Sequence, residues 1–128
     1  MGCKFEVSTV FGLTLLLSAC ASPSEMRAKP PAQVFTSSAD AKSVAVCIAN
    51  KWENLGVFGS TLPISMRPTM TGYTVSLVNP QSAQTQLLVD IDEATTGSIT
   101  RYFKHIVLGE GAFDNALAAC QSVPNRAR

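Results

Sequence analysis

The four cysteines are the residues whose chemistry this sequence defines best. They stand at Cys3, Cys20, Cys47 and Cys120 in a chain of 128 residues. A thiol can carry a covalent lipid, close a disulfide or take part in redox exchange, and its neighbours decide which of these it does. No two of the four are spaced as C-x-x-C, the arrangement typical of redox motifs. Each cysteine must therefore be interpreted from the segment around it.

Cys20 follows an apolar stretch near the start of the chain. Lys4 supplies a positive charge, and the apolar core runs from Val10 to Leu17. This core is too short to span a bilayer, because a spanning helix needs about 20 apolar residues. A positive start, a short apolar core and the small residues Ser18 and Ala19 are together typical of a secretory signal peptide.

The segment Leu17-Ser18-Ala19-Cys20 resembles the lipobox of bacterial lipoproteins. The resemblance implies cleavage between Ala19 and Cys20 and a diacylglycerol on the Cys20 thiol, and we expect no cofactor besides this lipid. Two or more acyl chains hold a protein stably at a membrane. Because Ala21 replaces the Asp that retains enterobacterial lipoproteins in the inner membrane, the resemblance also implies export to the outer membrane. The alternative is an ordinary signal peptide that contains a cysteine.

Cys47 and Cys120 remain once Cys3 leaves with the signal peptide and Cys20 is lipidated. Disulfides persist in the oxidising compartments beyond the inner membrane. We therefore predict a Cys47–Cys120 disulfide, which closes a loop of roughly 70 residues and stabilises the fold by about 4 kcal/mol. A redox pair is the alternative, and the absence of C-x-x-C spacing disfavours it.

Other residues with useful chemistry are few. His105 is the only histidine, and the sequence offers it neither an orienting partner nor fellow metal ligands. Asp90, Asp92 and Glu93 form an acidic cluster that could bind Ca²⁺ weakly, but the twelve-residue calcium loop is absent. An ordinary solvated strand end is the favoured interpretation. We predict neither a metal site nor a catalytic site.

A helix is predicted to begin the folded part. Ser37 is its expected N-cap, with Asp40 three residues later in a short-armed capping box. Apolar residues then recur on one helical face, and Gly56 is a natural C-terminal stop. That face is formed by Ala41, Val44, Ala45, Ile48, Trp52 and Leu55. Trp52 at this spacing is expected in the core rather than in a ligand platform.

Four strand-like segments follow the helix. Segment 62–66 is flanked by Pro63 and Pro68, which favours an edge strand or a loop. Two clearer strands alternate in period two, the first on Tyr73, Val75 and Leu77 and the second on Leu87, Val89 and Ile91. Segment 98–107 is the last, and its adjacent apolar pairs indicate a bulge or burial on both faces.

The fold class predicted from these elements is α+β. Phe113, Leu117 and Cys120 lie on one face of a short final helix. We expect an N-terminal helix, an antiparallel sheet of about four strands and a C-terminal helix, with both helices on one sheet face. The Cys47–Cys120 disulfide would join the two helices.

This order of elements resembles small proteobacterial lipoproteins that carry a Cys-Ile…Trp helix followed by a Gly-Tyr strand. The matching residues are Cys47, Ile48, Trp52, Gly72 and Tyr73. The resemblance covers most of the predicted domain, and its motifs are short. It implies a domain that faces the periplasm but no particular activity.

The chain is thus divided into four parts. Residues 1–19 are the cleaved signal peptide, and residues 20–36 are the lipidated cysteine and a flexible tether. The tether is rich in Ser, Pro and Ala, and coil scaling gives it a span of roughly 20–25 Å. Residues 37–122 form a single domain, and residues 123–128 are a frayed tail.

Composition narrows the choice of function. The net charge is +1 without a basic run, which argues against nucleic-acid binding. We expect a protein attached to the membrane by its lipid that binds a protein partner in the envelope, as an accessory or assembly factor. The alternative is capture of a small ligand or an envelope polymer such as peptidoglycan by a patch of Tyr73, Arg101 and Tyr102. An enzyme is the least favoured class.

Overall fold

The computed structural model describes residues 22–56, 60–105 and 110–124, which contain three α-helices and five strands. In chain order these are α1 (Pro23–Arg27), β1 (Gln33–Ser37), α2 (Ala41–Glu53), β2 (Ile64–Pro68), β3 (Gly72–Val78), β4 (Thr85–Ala94), β5 (Gly97–Lys104) and α3 (Glu110–Ala119). A 3₁₀ turn at Cys120–Ser122 follows α3. The predicted α+β class is confirmed, with one strand and one helix more than expected.

All five strands belong to one antiparallel sheet, in the order β1-β5-β4-β3-β2. The predicted strands correspond to β2, β3, β4 and β5, and β1 is the strand that was not predicted. It pairs with β5 and forms one edge of the sheet, while β2 forms the other.

Period-two alternation divides the residues of the sheet between two faces. Leu87, Val89 and Ile91 of β4 are buried in the main core, on what we call the core face. The intervening Asp90 and Asp92 lie on the opposite side, the outer face, because successive strand residues point to opposite sides. Alternation was therefore a sound guide to β4.

The helix α2 begins at a different residue from the predicted one. Asp40 is its N-cap, and its side chain accepts a hydrogen bond from the Ser43 N–H at 3.1 Å. Ser37 cannot start the helix because it pairs with Ser98 as the last residue of β1. Its hydroxyl accepts from the Ala39 N–H at 3.0 Å and donates to the carbonyl of Gln121.

Both α2 and α3 pack on the core face, as predicted. Trp52 of α2 is fully buried, and its Nε1–H donates to the Phe113 carbonyl of α3 at 3.2 Å. Its ring centroid lies 5.8 Å from that of Phe113 and 6.0 Å from that of Tyr102 in β5. The predicted Cys47–Cys120 disulfide is present and joins α2 to the end of α3, with a Cα–Cα distance of 5.6 Å.

The predicted tether at residues 20–36 is corrected for residues 22–36, which fold onto the domain as α1 and most of β1. Ser22 and Glu25 form a capping box at the start of α1, and Pro23 occupies the first helical turn, where proline is favoured. Met26 of α1 is buried against Leu88 and Phe103 on the outer face. The domain thus begins about Ser22 rather than at residue 37.

Helix α1 also explains the adjacent apolar pair in β5. Tyr102 is buried on the core face, and Phe103 is buried on the outer face beneath α1. The pairing of β4 with β5 continues in one register across both residues. For this pair, burial on both faces is therefore the right explanation. The other adjacent pair of the predicted strand, Ile106-Val107, lies outside the described residues.

The lipobox at residues 17–20 and most of the predicted tail, residues 125–128, lie outside the described residues. Val123 is described and packs against the main core, so the domain extends past residue 122. No helix among the described residues is long and apolar enough to cross a membrane.

Candidate functional site

The predicted binding patch is not a single surface. Arg101 lies on the outer face, whereas Tyr73 and Tyr102 lie on the core face. Tyr102 is fully buried beside Trp52, and Tyr73 is half-buried. The prediction of one exposed Tyr/Arg patch is wrong, because the neighbours Arg101 and Tyr102 must point to opposite sides of their strand.

The outer face instead carries a network centred on Asp90 of β4. Arg27 of α1 donates to both of its oxygens, from Nε to Oδ2 at 2.7 Å and from Nη2 to Oδ1 at 2.8 Å. Thr74 of β3 donates its hydroxyl to Oδ1 at 2.7 Å. A bidentate guanidinium–carboxylate pair fixes orientation as well as charge. It therefore holds α1 in one position across the sheet.

A second pair lies two residues further along β4. Asp92 accepts from the Thr71 hydroxyl at 2.6 Å and from Arg101 Nη1 at 2.8 Å. We call Arg27, Asp90, Arg101 and Asp92 the arginine–carboxylate row. Its two guanidinium groups offset its two carboxylates, so the row carries no net charge.

The environment of Asp90 shifts its acidity. Burial alone would raise the pKa of Asp90, but the hydrogen bonds from Arg27 and Thr74 and the charges of Arg27 and Arg101 together hold it below its usual range. The hydrogen bond to Asp90 is in turn the main reason why the pKa of Arg27 is raised. Asp90 is therefore ionised at neutral pH.

We predict that Asp90→Asn flattens the dependence of stability on acid pH. Because the folded pKa of Asp90 is below its unfolded value of about 3.9, its ionised form stabilises the fold above about pH 4. That contribution is lost as the pH falls through the folded pKa. Urea unfolding at a series of pH values measures the slope, and the expected loss at pH 7 is at most about 1 kcal/mol. Equal slopes in the variant and the native protein would contradict the prediction.

The other members of the predicted acidic cluster also have partners in the chain. Glu93 Oε1 accepts from the Ala41 N–H at 2.8 Å, at the start of α2. The described residues contain no group of three or more His, Cys, Asp or Glu that could hold a metal ion. His105 is half-buried, and its backbone N–H donates to the Gln86 carbonyl at 2.8 Å.

A cavity lies beside the disulfide, between α2 and the C-terminal segment. Its volume is about 450 Å³, within the range of small-ligand pockets. Apolar groups supply most of its lining, and the exposed Asn50 and Lys51 contribute polar groups. The lining residues are Ser43, Val46, Cys47, Asn50, Lys51, Val123 and Pro124.

The chain was compared with protein-family models, with curated proteins and with solved structures, and no match was found in any of them.

The sequence interpretation missed α1 and its contact with Asp90. A signal for the helix was present, since Ser22 is followed three residues later by Glu25 and one residue later by Pro23. The pairing of Arg27 with Asp90 had no such signal, because 63 positions separate the two residues.

Proposed function

We propose that this protein is a lipoprotein, anchored by an acylated Cys20 to the outer membrane and facing the periplasm. It acts there by binding, as an accessory or assembly factor of an outer-membrane or periplasmic complex. The observation that carries the proposal is the packing of α1 on the sheet, because it determines how close the domain lies to a lipid on Cys20.

The docked α1 leaves only a short connection to the anchor. Ser22 is the N-cap of α1, so Ala21 alone separates it from Cys20. Two residues span at most about 7 Å when fully extended. A lipidated Cys20 would therefore hold the domain against the lipid headgroups, where it meets partners that are themselves at the membrane.

The Cys47–Cys120 disulfide supports the export of the domain. Disulfides persist in the bacterial periplasm and are rare in the cytosol. The bond fastens α2 to the end of α3, and Arg27 fastens α1 to the sheet. A small domain secured in this way presents its surface in one conformation, which favours recognition of a protein.

The anchor predicts a complete change of location in the Cys20→Ser variant. We expect this variant to leave the membrane fraction or to stall before signal cleavage, because serine cannot accept the thioether-linked lipid. Fractionation and the mass of the N-terminal peptide measure both outcomes. Cys3→Ser is the matched control, since Cys3 lies in the predicted signal peptide, and it should fractionate like the native protein. Normal processing and unchanged membrane attachment of Cys20→Ser would contradict the anchor.

The native protein and the Cys20→Ser variant also test the binding role. Crosslinking in intact cells, followed by recovery of the chain, should yield one protein in stoichiometric amount from the native form and much less from Cys20→Ser. An empty recovery from both forms would contradict an accessory role. Attention would then move to the alternative, a small ligand or an envelope polymer such as peptidoglycan.

A further inference from the structure

The two edges of the sheet differ in how many backbone N–H groups they leave free. At β2, the Thr69 N–H donates to the Gly72 carbonyl, so alternation along the ladder turns Ile64, Met66 and Pro68 away from β3. The Ile64 N–H is already bonded to the Leu62 carbonyl at 2.9 Å, and Pro68 has no N–H. Only the N–H of Met66 remains for another strand.

The edge formed by β1 has no such protection. The His105 N–H donates to the Gln86 carbonyl, so odd-numbered residues of β5 bond to β4 and even-numbered ones bond to β1. Given the pairing of Phe35 with Thr100, the backbone groups of Val34 and Thr36 point to the free side of β1. Among the described residues, neither N–H donates a backbone hydrogen bond to a turn or loop.

The side chains of β1 also favour strand pairing. The strand reads Gln-Val-Phe-Thr-Ser, without a charge or a proline, whereas Arg67 and Pro68 stand in β2. Charges and prolines are the usual means by which edge strands avoid pairing with other chains. Val34 is 56% exposed and, with Met70, is one of two exposed large hydrophobic residues in the described part of the chain.

We infer that β1 pairs antiparallel with β1 of a second copy of this chain, which joins the two sheets into one. Val34 of each copy lies opposite Thr36 of the other, and Phe35 lies on the two-fold axis. The two outward residues then exchange all of their free N–H and C=O groups across the interface. The inference goes beyond the proposed function and rests on its membrane anchor only for the effective concentration of the two copies.

A second copy suits this edge better than a different protein. The strand is uncharged, so its own copy is not repelled, and no charge beside Val34 or Thr36 on β1 selects an unlike partner. Five residues of strand bury less surface than the roughly 1,200 Å² of a stable interface. Attachment of both copies to one membrane would raise their effective concentration and compensate for that small area.

Cysteine crosslinking tests the register. Full-length Val34→Cys and Thr36→Cys chains with different tags are co-expressed, and membranes are oxidised mildly. Directly opposite residues of a hydrogen-bonded pair lie about 5.5 Å apart, within reach of a disulfide, whereas diagonal neighbours lie about 7–8 Å apart. We expect a covalent dimer that contains both tags, and little dimer from either variant alone.

A proline variant provides a second test that does not depend on added cysteines. Thr36→Pro removes an outward N–H that the β1–β5 ladder does not use, as the native Pro68 does in β2. With the full chain in membranes, chemical crosslinking should yield a dimer of the native protein and only monomer of Thr36→Pro, whose melting temperature should be nearly unchanged.

Three results would overturn the inference. One is that Ser65→Cys and Arg67→Cys, the equivalent pair on β2, crosslink as efficiently as Val34→Cys and Thr36→Cys on β1. Another is a Val34→Cys crosslink to a different protein without any to the second copy, which would make β1 the site of another partner. The last is a folded Thr36→Pro variant that still dimerises.

Discussion

Replacing Cys47 and Cys120 together by alanine is expected to lower the free energy of unfolding by about 4 kcal/mol. The disulfide spans 73 positions, so its loss restores much of the conformational entropy of the unfolded chain. The helix α3 has only ten residues, and helices of that length are marginal without tertiary support. Loss of the bond therefore acts on both the folded and the unfolded state.

Urea unfolding with and without a reductant measures this contribution. The native protein should lose about 4 kcal/mol when the disulfide is reduced, whereas the double alanine variant should be insensitive to reductant. The variant with both cysteines intact but Met70→Ala is a suitable control, because Met70 is fully exposed. If the reductant shifted the urea midpoint of the native protein no more than it shifted the midpoint of the double alanine variant, the disulfide would not stabilise the fold.

The sequence predicted secondary structure and core residues well where one face of an element is buried along its length. In β4 the residues of the main core alternate, although Leu88 between them is buried on the outer face, and in α2 the core residues recur at helical spacing from Ala41 to Trp52. Such patterns follow from the geometry of strands and helices, so they can be read without knowing the partner element. The disulfide followed from the count of cysteines and the predicted compartment.

The elements before residue 38 could not be predicted in the same way. Helix α1 buries only Met26, and β1 is a five-residue strand whose one substantial core contact is Phe35. Each of these elements contributes a single apolar residue to a core, so neither shows periodicity, and both form because they pack on the sheet or pair with its edge. Proline-rich sequence around them looked like a spacer, although Pro23 starts a helix.

The predicted binding patch was wrong for a different reason. Arg101 and Tyr102 are adjacent in a strand, so elementary geometry already separates their side chains. The contacts that do organise the outer face join residues far apart in the chain, such as Arg27 and Asp90. Sequence spacing carries no information about pairs of that kind.

Trp52→Ala is expected to destabilise the protein by about 4 kcal/mol, close to the effect of losing the disulfide. Trp52 is fully buried and contacts Tyr102 in the sheet and Phe113 in α3, so its ring joins the three parts of the core. Removing it leaves a cavity where α2, α3 and the sheet meet. Circular dichroism during urea unfolding is the appropriate measurement, since Trp52 is the only tryptophan.

Trp52→Phe separates the packing of the ring from its hydrogen bond. Phenylalanine keeps an aromatic ring but cannot donate to the Phe113 carbonyl, which leaves a buried acceptor and should cost about 1–3 kcal/mol. A loss as large as that of Trp52→Ala would mean that the bond to α3, rather than ring packing, holds the core together. Met70→Ala should change stability by less than about 0.5 kcal/mol. A Trp52→Ala variant as stable as this control would show that the three layers do not depend on the tryptophan.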